Sequence, residues 1–330
     1  ATLTQELAAW KNSPPGLYAK EHGLYKEAPS NNSGEASANV ESNDHLVRFF
    51  LSKLSAEKAQ LKNPDATFGT KSPFSLMTEE EFAKYVSRSV AHSRGEIFRG
   101  LADMSTEIAE EAEAAEASSV DWTTSGCVAP VKDQGQCGSC WAFTAVGSLE
   151  SAYCLKYGSL TQFSEQQVTS CDRKSSGCNG GVVSWALKYV QDNGGICTES
   201  DYPYTDGSSG KTSTCSPSCN KQVITITSVV SVTTTDAGFA SAITKQPIAV
   251  AVASGNPTWK QYTSGVVSSC ETSELDHAVL AVGFDNTSFR FKNHWTKWWG
   301  EDGFIRLQRS TSRSGTCGVI NDSAVYPVVA

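Results

Sequence analysis

Eleven cysteines lie between positions 127 and 317, and residues 1–126 contain none. That asymmetry constrains the fold most, because disulfides can staple the second region and cannot form within the first. An odd count leaves one thiol over when the others pair, and a leftover thiol is a candidate for reactivity or for an intermolecular bond. Dense cysteine usage also fits an oxidising compartment. The 330 residues are enough for two domains.

The cysteine-free region reads as helical and polar. Leu46, Phe49, Phe50, Leu54 and Leu61 recur at helical spacing behind the capping candidates Ser42 and Asp44, which predicts an amphipathic helix. Thr78 and Glu81 have capping-box spacing, and Phe82, Val86 and Val90 follow on one face, so another helix starts there. Residues 30–39 (SNNSGEASAN) read as a flexible insertion. Residues 104–119 are acidic and alanine-rich; they read as an exposed linker open to processing, or as a solvated helix. The boundary falls at about residue 116, which separates residues 1–116 from an α+β body over 117–330.

In that body, Phe143, Val146, Leu149 and Tyr153 take helical spacing over 140–156, directly after Gly138 and Ser139. Cys140 therefore opens a helix. Strand-like runs begin at Val223, Pro247, His277 and Phe289. Lys plus Arg total 27 against 35 acidic residues, a formal charge of -8 without a basic stripe, so no nucleic-acid partner is expected. No apolar run is long enough to cross a bilayer, so no membrane partner is expected either. The start ATLTQELAAW lacks the charged and apolar parts of a secretory leader, so a leader is expected to have been removed. Sequons at Asn31, Asn286 and Asn321 permit glycosylation.

A thiol attacks a carbonyl as the thiolate, and its pKa falls at a helix N-terminus and beside a protonated imidazole. Cys140 has the first feature, and the body offers His277 and His294 for the second. In residues 289–295 (FRFKNHW), Phe289, Phe291, Asn293 and Trp295 alternate with Arg290, Lys292 and His294, which predicts a solvent-facing His294. His277 opens the apolar run HAVLAVGF and is the expected base, with Asn293 placed beside Trp295 to orient its ring.

Residues 134–143 (QGQCGSCWAF) resemble the nucleophile segment of papain-family, cathepsin L-like cysteine proteases, and LDHAV, residues 275–279, resembles their histidine segment. WWGEDGFIRL and GTCGVINDSAVYPV extend the resemblance over 118–330. It implies a papain-like two-lobed α+β fold, with a helical left lobe and a β-barrel-like right lobe. It implies an endopeptidase, since the insertion that makes some relatives exopeptidases is absent between Gly181 and Tyr202. Cys140 becomes the nucleophile, His277 the base, Asn293 its orienting partner, and Gln134 an oxyanion-hole donor alongside the Cys140 N–H. His294 departs from the family's usual serine, and a second imidazole near the site could alter the pH profile.

The resemblance further implies the disulfides Cys137–Cys178, Cys171–Cys215 and Cys270–Cys317, with Cys219 able to replace Cys215. The pairing of Cys127, Cys154, Cys197 and Cys219 stays open. Gly181 is expected to pair with the substrate main chain, Trp295 and Trp299 to line the leaving-group side, and Asp276 to offer a backbone carbonyl. Val183, Ala251 and Leu275 are expected to wall an apolar pocket. Asp322 is either the floor of that pocket, admitting basic side chains, or an exposed acid beside Asn321. No metal or cofactor is expected.

The first region resembles the family's inhibitory propeptide through NPDATFG, EEEF and the spacing of Glu41 and Phe49, with His45 and Ser52 where Arg and Asn are usual. This implies an acid-processed zymogen in which helix 78–92 anchors a stretch, about 95–105, that crosses Cys140. Expected partners are protein and peptide substrates, the chain's own propeptide and cystatin-like inhibitors, with a monomer in a lysosomal, vacuolar or secreted location. A binding or storage protein on the same fold would have lost Cys140 or His277. A transglutaminase-like acyl transferase would leave residues 134–143 unexplained.

Overall fold

Residues 1–26, 35–87, 118–310 and 312–330 are described by the computed structural model. Expectations for Asn31, Val90, the 95–105 crossing and the linker up to residue 117 fall outside them.

Local chemistry sets the first helices. Helix α1, Leu3–Lys11, starts with a capping box between Thr2 and Gln5, and α2, Pro14–Glu21, starts on Ser13 with proline in its first turn. Helix α3 runs Glu35–Lys62, so residues 35–39 are helical rather than inserted coil, and Ser42 and Asp44 lie inside the helix rather than capping it. Asp44 instead bonds the Arg48 Nε one turn on, at 2.7 Å.

The face α3 buries also differs from the apolar pattern. Phe50 is 48% and Leu61 86% exposed, whereas His45, Phe49, Ser52, Ala56, Ala59 and Asn63 are buried. Those positions keep helical spacing, but most are small or polar, and the polar ones are bonded inward. Ser52 Oγ donates to Ser75 O at 2.8 Å, and Asn63 Oδ1 accepts from Ser269 N at 2.7 Å. Strand β1, Ala66–Phe68, follows, and then α4, Glu79–Ser87. Its capping box is formed: Thr78 N donates to Glu81 Oε2 at 2.9 Å and Glu81 N to Thr78 Oγ1 at 3.1 Å.

The body opens with β2, Val120–Asp121, and α5, Cys140–Tyr157, followed by α6, Glu165–Cys171, and α7, Val183–Asp192. Helix α5 is buried around nearly its whole circumference, as a helix between two lobes must be. One side meets α7 in a helical lobe whose core includes Trp141, Leu149, Phe163 and Leu187. The other meets a sheet built from β3, Ile226–Ser231, β4, Ile248–Val252, β5, Tyr262–Val267, β6, His277–Phe284, β7, Ser288–Lys292, β8, Phe304–Gln308, and β9, Val325–Val329. Helix α8, Asp236–Lys245, and the short α9, Pro257–Gln261, lie between its strands.

Strand order is β1-β5-β8-β7-β6-β4-β9-β3, with β2 also on β6; β5 and β8 are parallel and the other pairs antiparallel. The N-terminal region supplies β1, which covers the β5 edge with Ala66 opposite Gly265. Its Leu7, Trp10, Phe49, Phe74 and Phe82 share one core with Trp259, Trp295 and Trp299 of the sheet lobe.

Five disulfides tie the body: Cys127–Cys154, Cys137–Cys178, Cys171–Cys215, Cys197–Cys219 and Cys270–Cys317. Cys219 therefore closes on Cys197. With separations of 22 to 47 residues, each closure contributes on the order of 3–4 kcal/mol by restricting the unfolded chain.

Candidate active site

Cys140 is the first residue of α5, where amides without intrahelical partners and the helix dipole favour a negative charge. It lies outside the disulfides and is buried. Its Sγ, one ring nitrogen of His277 and one of His294 lie within 4.8 Å of one another.

His277 is the first residue of β6, and its Nε2 lies 2.8 Å from Asn293 Oδ1. The same oxygen accepts the His294 backbone N–H at 2.9 Å, which fixes the carboxamide orientation, so His277 Nε2 carries the proton. Nδ1 is then the lone-pair nitrogen, buried without a hydrogen-bond partner. Burial pushes the imidazole down to about 4, against the Asn293 bond, which favours its protonated form. The Trp295 ring stacks on His277 at 4.6 Å and keeps water off that face.

Gln134 is 2% exposed, and its Nε2 donates to Cys137 O at 2.9 Å, leaving that amide a second N–H. Its backbone N donates to His294 O at 3.0 Å, and Asp133 bridges Trp295, so the segments carrying Gln134 and Asn293 are laced together across the lobes.

His294 faces inward, not toward solvent as strand alternation predicts. It is 5% exposed, with its ring 4.9 Å from His277 and 5.5 Å from Phe143. Alternation holds only while the chain is a strand, and β7 ends at Lys292. Lys292 is itself buried, donating to Ala129 O at 2.7 Å, so the face read as polar is not a solvent face. Burial, then the charges of His277 and Lys292, hold the His294 imidazole well below its ordinary range.

The expected substrate residues separate into several environments. A Cβ on Gly181 would meet the Trp141 ring at 2.4 Å and Ser175 Cβ at 2.7 Å, so packing alone demands glycine there. Trp299 is fully buried, stacked on Trp259 at 5.6 Å with its Nε1 donating to Trp259 O. Asp276 accepts from Ser254 N at 2.7 Å and Gly255 N at 2.8 Å, and burial raises its carboxyl to about 6.

Leu275 and Asp322 line one cavity of about 680 Å³, together with Glu274, Arg313 and Ile320. Neither Ala251 nor Val183 is among that cavity's lining residues: the Ala251 carbonyl accepts Nδ2 of the lining residue Asn321 at 2.9 Å, and Val183 opens α7. Asn321 Nδ2 also donates to Gly318 O at 2.7 Å, so the nitrogen that would carry a glycan is committed inward. Asn286 is exposed in the β6–β7 turn.

The N-terminal region clamps this site through Phe82 and Ser52 together with Tyr18, Phe74 and Tyr85, which the sequence pattern does not single out. Tyr18 Oη donates to Asp133 Oδ2 and Tyr85 Oη to Gly135 O, each at 2.7 Å, which brackets Gln134. Phe74 and Phe82 set their rings edge-on to Trp295 at 5.4 and 5.6 Å. Lys260 of α9 is buried under α3, its Nζ donating to Ser52 Oγ at 2.8 Å. The available signal was the cluster of Phe74, Leu76 and Met77 just before the Thr78 capping box, an apolar run with no partner inside its own helix.

A thiol at a helix start beside a carboxamide-oriented imidazole belongs to the cysteine proteases, and packing of the chain's own N-terminal region onto that site belongs to a precursor. Residues 116–328 match the family described as papain family cysteine protease. Digestive cysteine proteinase 1 of Homarus americanus is 42% identical over 227 residues, 66% of this chain and 68% of that one. Procathepsin L of Rattus norvegicus is 36% identical over 271 residues, 78% of this chain and 76% of that one. Digestive procathepsin L2 proteinase of Tenebrio molitor larval midgut superposes with a TM-score of 0.81 at 28% identity, covering 99% of both chains. The ragweed pollen cysteine protease Amb a 11 in its proform gives 0.80 at 27%, over 99% of this chain and 95% of that one.

The chain belongs to the papain family of cysteine proteases. It is a cathepsin L-like proenzyme, with the two-lobed fold of that family and an N-terminal propeptide.

Proposed function

We propose that this zymogen is an endopeptidase that cleaves through a Cys140 thiolate, with His277 as its general base and acid. The carrying observation is the His277 Nε2 to Asn293 Oδ1 contact at 2.8 Å, with the Cys140 sulfur and a His277 nitrogen within 4.8 Å. Proton transfer from Sγ to the bare Nδ1 makes a thiolate–imidazolium pair, and each charge offsets the burial cost of the other. The thiolate attacks the scissile carbonyl. The second N–H of Gln134 and the Cys140 N–H receive the charge developing on its oxygen. The imidazolium then protonates the leaving amine, and water, deprotonated by the same ring, hydrolyses the thioester.

Residues 1–116 act as the inhibitor, with 117–330 as the released peptidase. Acid promotes release in this reading because carboxylates such as Glu81 hold the propeptide helices together: Glu81 bonds Arg48 at 2.6 Å. Proteins and peptides are the substrates, with an apolar side chain taken beside Leu275 and a basic one reaching Asp322. Cystatin-like proteins are fitting inhibitors, and the disulfide framework suits a lysosomal, vacuolar or extracellular location.

The test is peptide hydrolysis before and after incubation at acid pH, for the parent and for Cys140→Ala. Activity should appear on acidification and be absent in the variant. Activity that never appears, or that survives the substitution, defeats the reading. For the pocket, Asp322→Ala should lower the ratio of Arg to Leu preference, and an unchanged ratio removes Asp322 from the specificity account.

A further inference from the structure

We propose that Cys140, His277 and His294 together form a three-ligand site for a divalent cation of the zinc class. One sulfur and two imidazole nitrogens, on three buried residues, lie within 4.8 Å of one another. His277 Nδ1 and His294 Nε2 are buried with no hydrogen-bond partner, at residues 1% and 5% exposed. Each of the two imidazoles beside the Cys140 sulfur thus carries a buried ring nitrogen with no partner, an unusual arrangement because buried polar atoms nearly always find partners.

The donor chemistry selects the ion. One thiolate with two imidazoles suits zinc and its borderline-soft neighbours and is a poor match for calcium or magnesium, which prefer oxygen. Three protein ligands leave a fourth position for water, the pattern of an open tetrahedral site. Bonds of about 2.0–2.3 Å put ligand atoms roughly 3.3–3.8 Å apart, so the triangle closes by side-chain rotations of about 1 Å.

The surrounding shell is already in place. A ligating imidazole ordinarily donates its other N–H to a fixed acceptor, and His277 does so to Asn293 Oδ1, which holds Nδ1 as the lone-pair nitrogen. Binding balances as Cys–SH plus M²⁺ giving Cys–S–M⁺ plus one proton, and it uses the sulfur and the Nδ1 lone pair that peptide cleavage would use. The ion is therefore a reversible lock on the site, separate from the propeptide. Only that inhibitory consequence rests on the proposed peptidase chemistry; binding itself does not.

The experiment uses the full-length chain with its five disulfides intact, stripped with a chelator, and titrates zinc calorimetrically and cobalt(II) by absorption. One ion per chain should bind, and cobalt should give a thiolate-to-metal charge-transfer band that Cys140→Ser abolishes. His294→Ser should weaken zinc binding at least tenfold. Cys140→Ser, the smaller change, should weaken it comparably even if His294→Ser folds poorly. Zinc bound as tightly by both variants, or a cobalt spectrum without the thiolate band, overturns the site. In a parallel assay of acid-treated chain, zinc should inhibit at its binding concentration and chelator should restore activity. Zinc that binds as expected to a chain that never cleaves peptide defeats the peptidase reading and leaves the site standing.

Discussion

Phe74→Ala tests how the propeptide holds its grip. Phe74 is 2% exposed, with ring centroids 5.1 Å from Phe82, 5.4 Å from Tyr85 and 5.4 Å from Trp295. Truncating a buried phenylalanine costs about 3–5 kcal/mol. Two of the three ring partners belong to the propeptide itself, so the share that falls on docking is about 1–2 kcal/mol. At 1.4 kcal/mol per factor of ten, the undocked fraction should rise about 5- to 30-fold. The assay is hydrolysis of a short fluorogenic peptide by unprocessed precursor at neutral pH, with the half-time of acid processing measured in parallel. Both should change in that range. The processed variant should match the processed parent in kcat/KM, because residue 74 departs with the propeptide. Unchanged leak and half-time would refute the docking role, and an altered kcat/KM would show that the substitution damaged the peptidase during folding.

Ser52→Ala removes the hydroxyl that accepts from buried Lys260, and a poorly paired buried ammonium costs about 1–3 kcal/mol, so leak should rise about 5- to 150-fold. Burial lowers Lys260 to about 8 against an ordinary 10.5, so the docking cost of its charge grows as pH falls toward 8 and is constant below it. The excess leak should therefore be equal at about pH 5 and pH 7, and a strong slope would show that another group is titrating. Glu81 behaves oppositely: burial raises its carboxyl, but the Arg48 and Thr78 bonds outweigh that and hold it below the ordinary 4.5. A depressed carboxyl stabilises above its unfolded value and loses that contribution as pH falls through its folded one. Glu81→Gln should thus process faster than the parent near neutrality and flatten the acid acceleration measured by gel densitometry. Gln134→Ala should lower kcat by about 10²–10³ with KM less affected, in steady-state kinetics of the processed enzyme. Mass spectrometry of chain from a glycosylating host should find Asn286 modified and Asn321 bare.

What the sequence made legible and what it hid differ by physical cause. Residues 134–143 and the run from His277 are read easily because a helix start and a buried strand impose strong local patterns, and the chemistry sits on those patterns. The thiol at the head of α5 and the imidazole at the head of β6 are each placed by an element whose beginning shows in the chain. Helix α3 is different: its existence follows from periodicity, but its buried face does not. Apolar periodicity points to Phe50 and Leu61 as well as Phe49, whereas the docked face joins Phe49 to Ser52, Ala56 and Ala59, where close approach to α9 favours small side chains. A pattern that scores size and hydrophobicity cannot see a face selected for smallness and for hydrogen bonds made to another part of the chain.

His294 shows the same limit at the site itself. Period-two reasoning carries each residue of a strand to a face, and it fails at the residue where the ladder ends. β7 stops at Lys292, Asn293 N turns to Gly303 O at 3.0 Å, and His294 O accepts from Gln134 N at 3.0 Å. Those bonds swing the His294 side chain against His277, although Asn293 still arrives where the alternation put it. Burial and the neighbouring His277 and Lys292 charges then keep its imidazole uncharged near neutrality. A neutral second ring would compete little with a His277 imidazolium electrostatically, yet it places one more nitrogen lone pair beside the sulfur. In the proposed cation site, that nitrogen and not the charge of the ring is what His294 contributes beside Cys140.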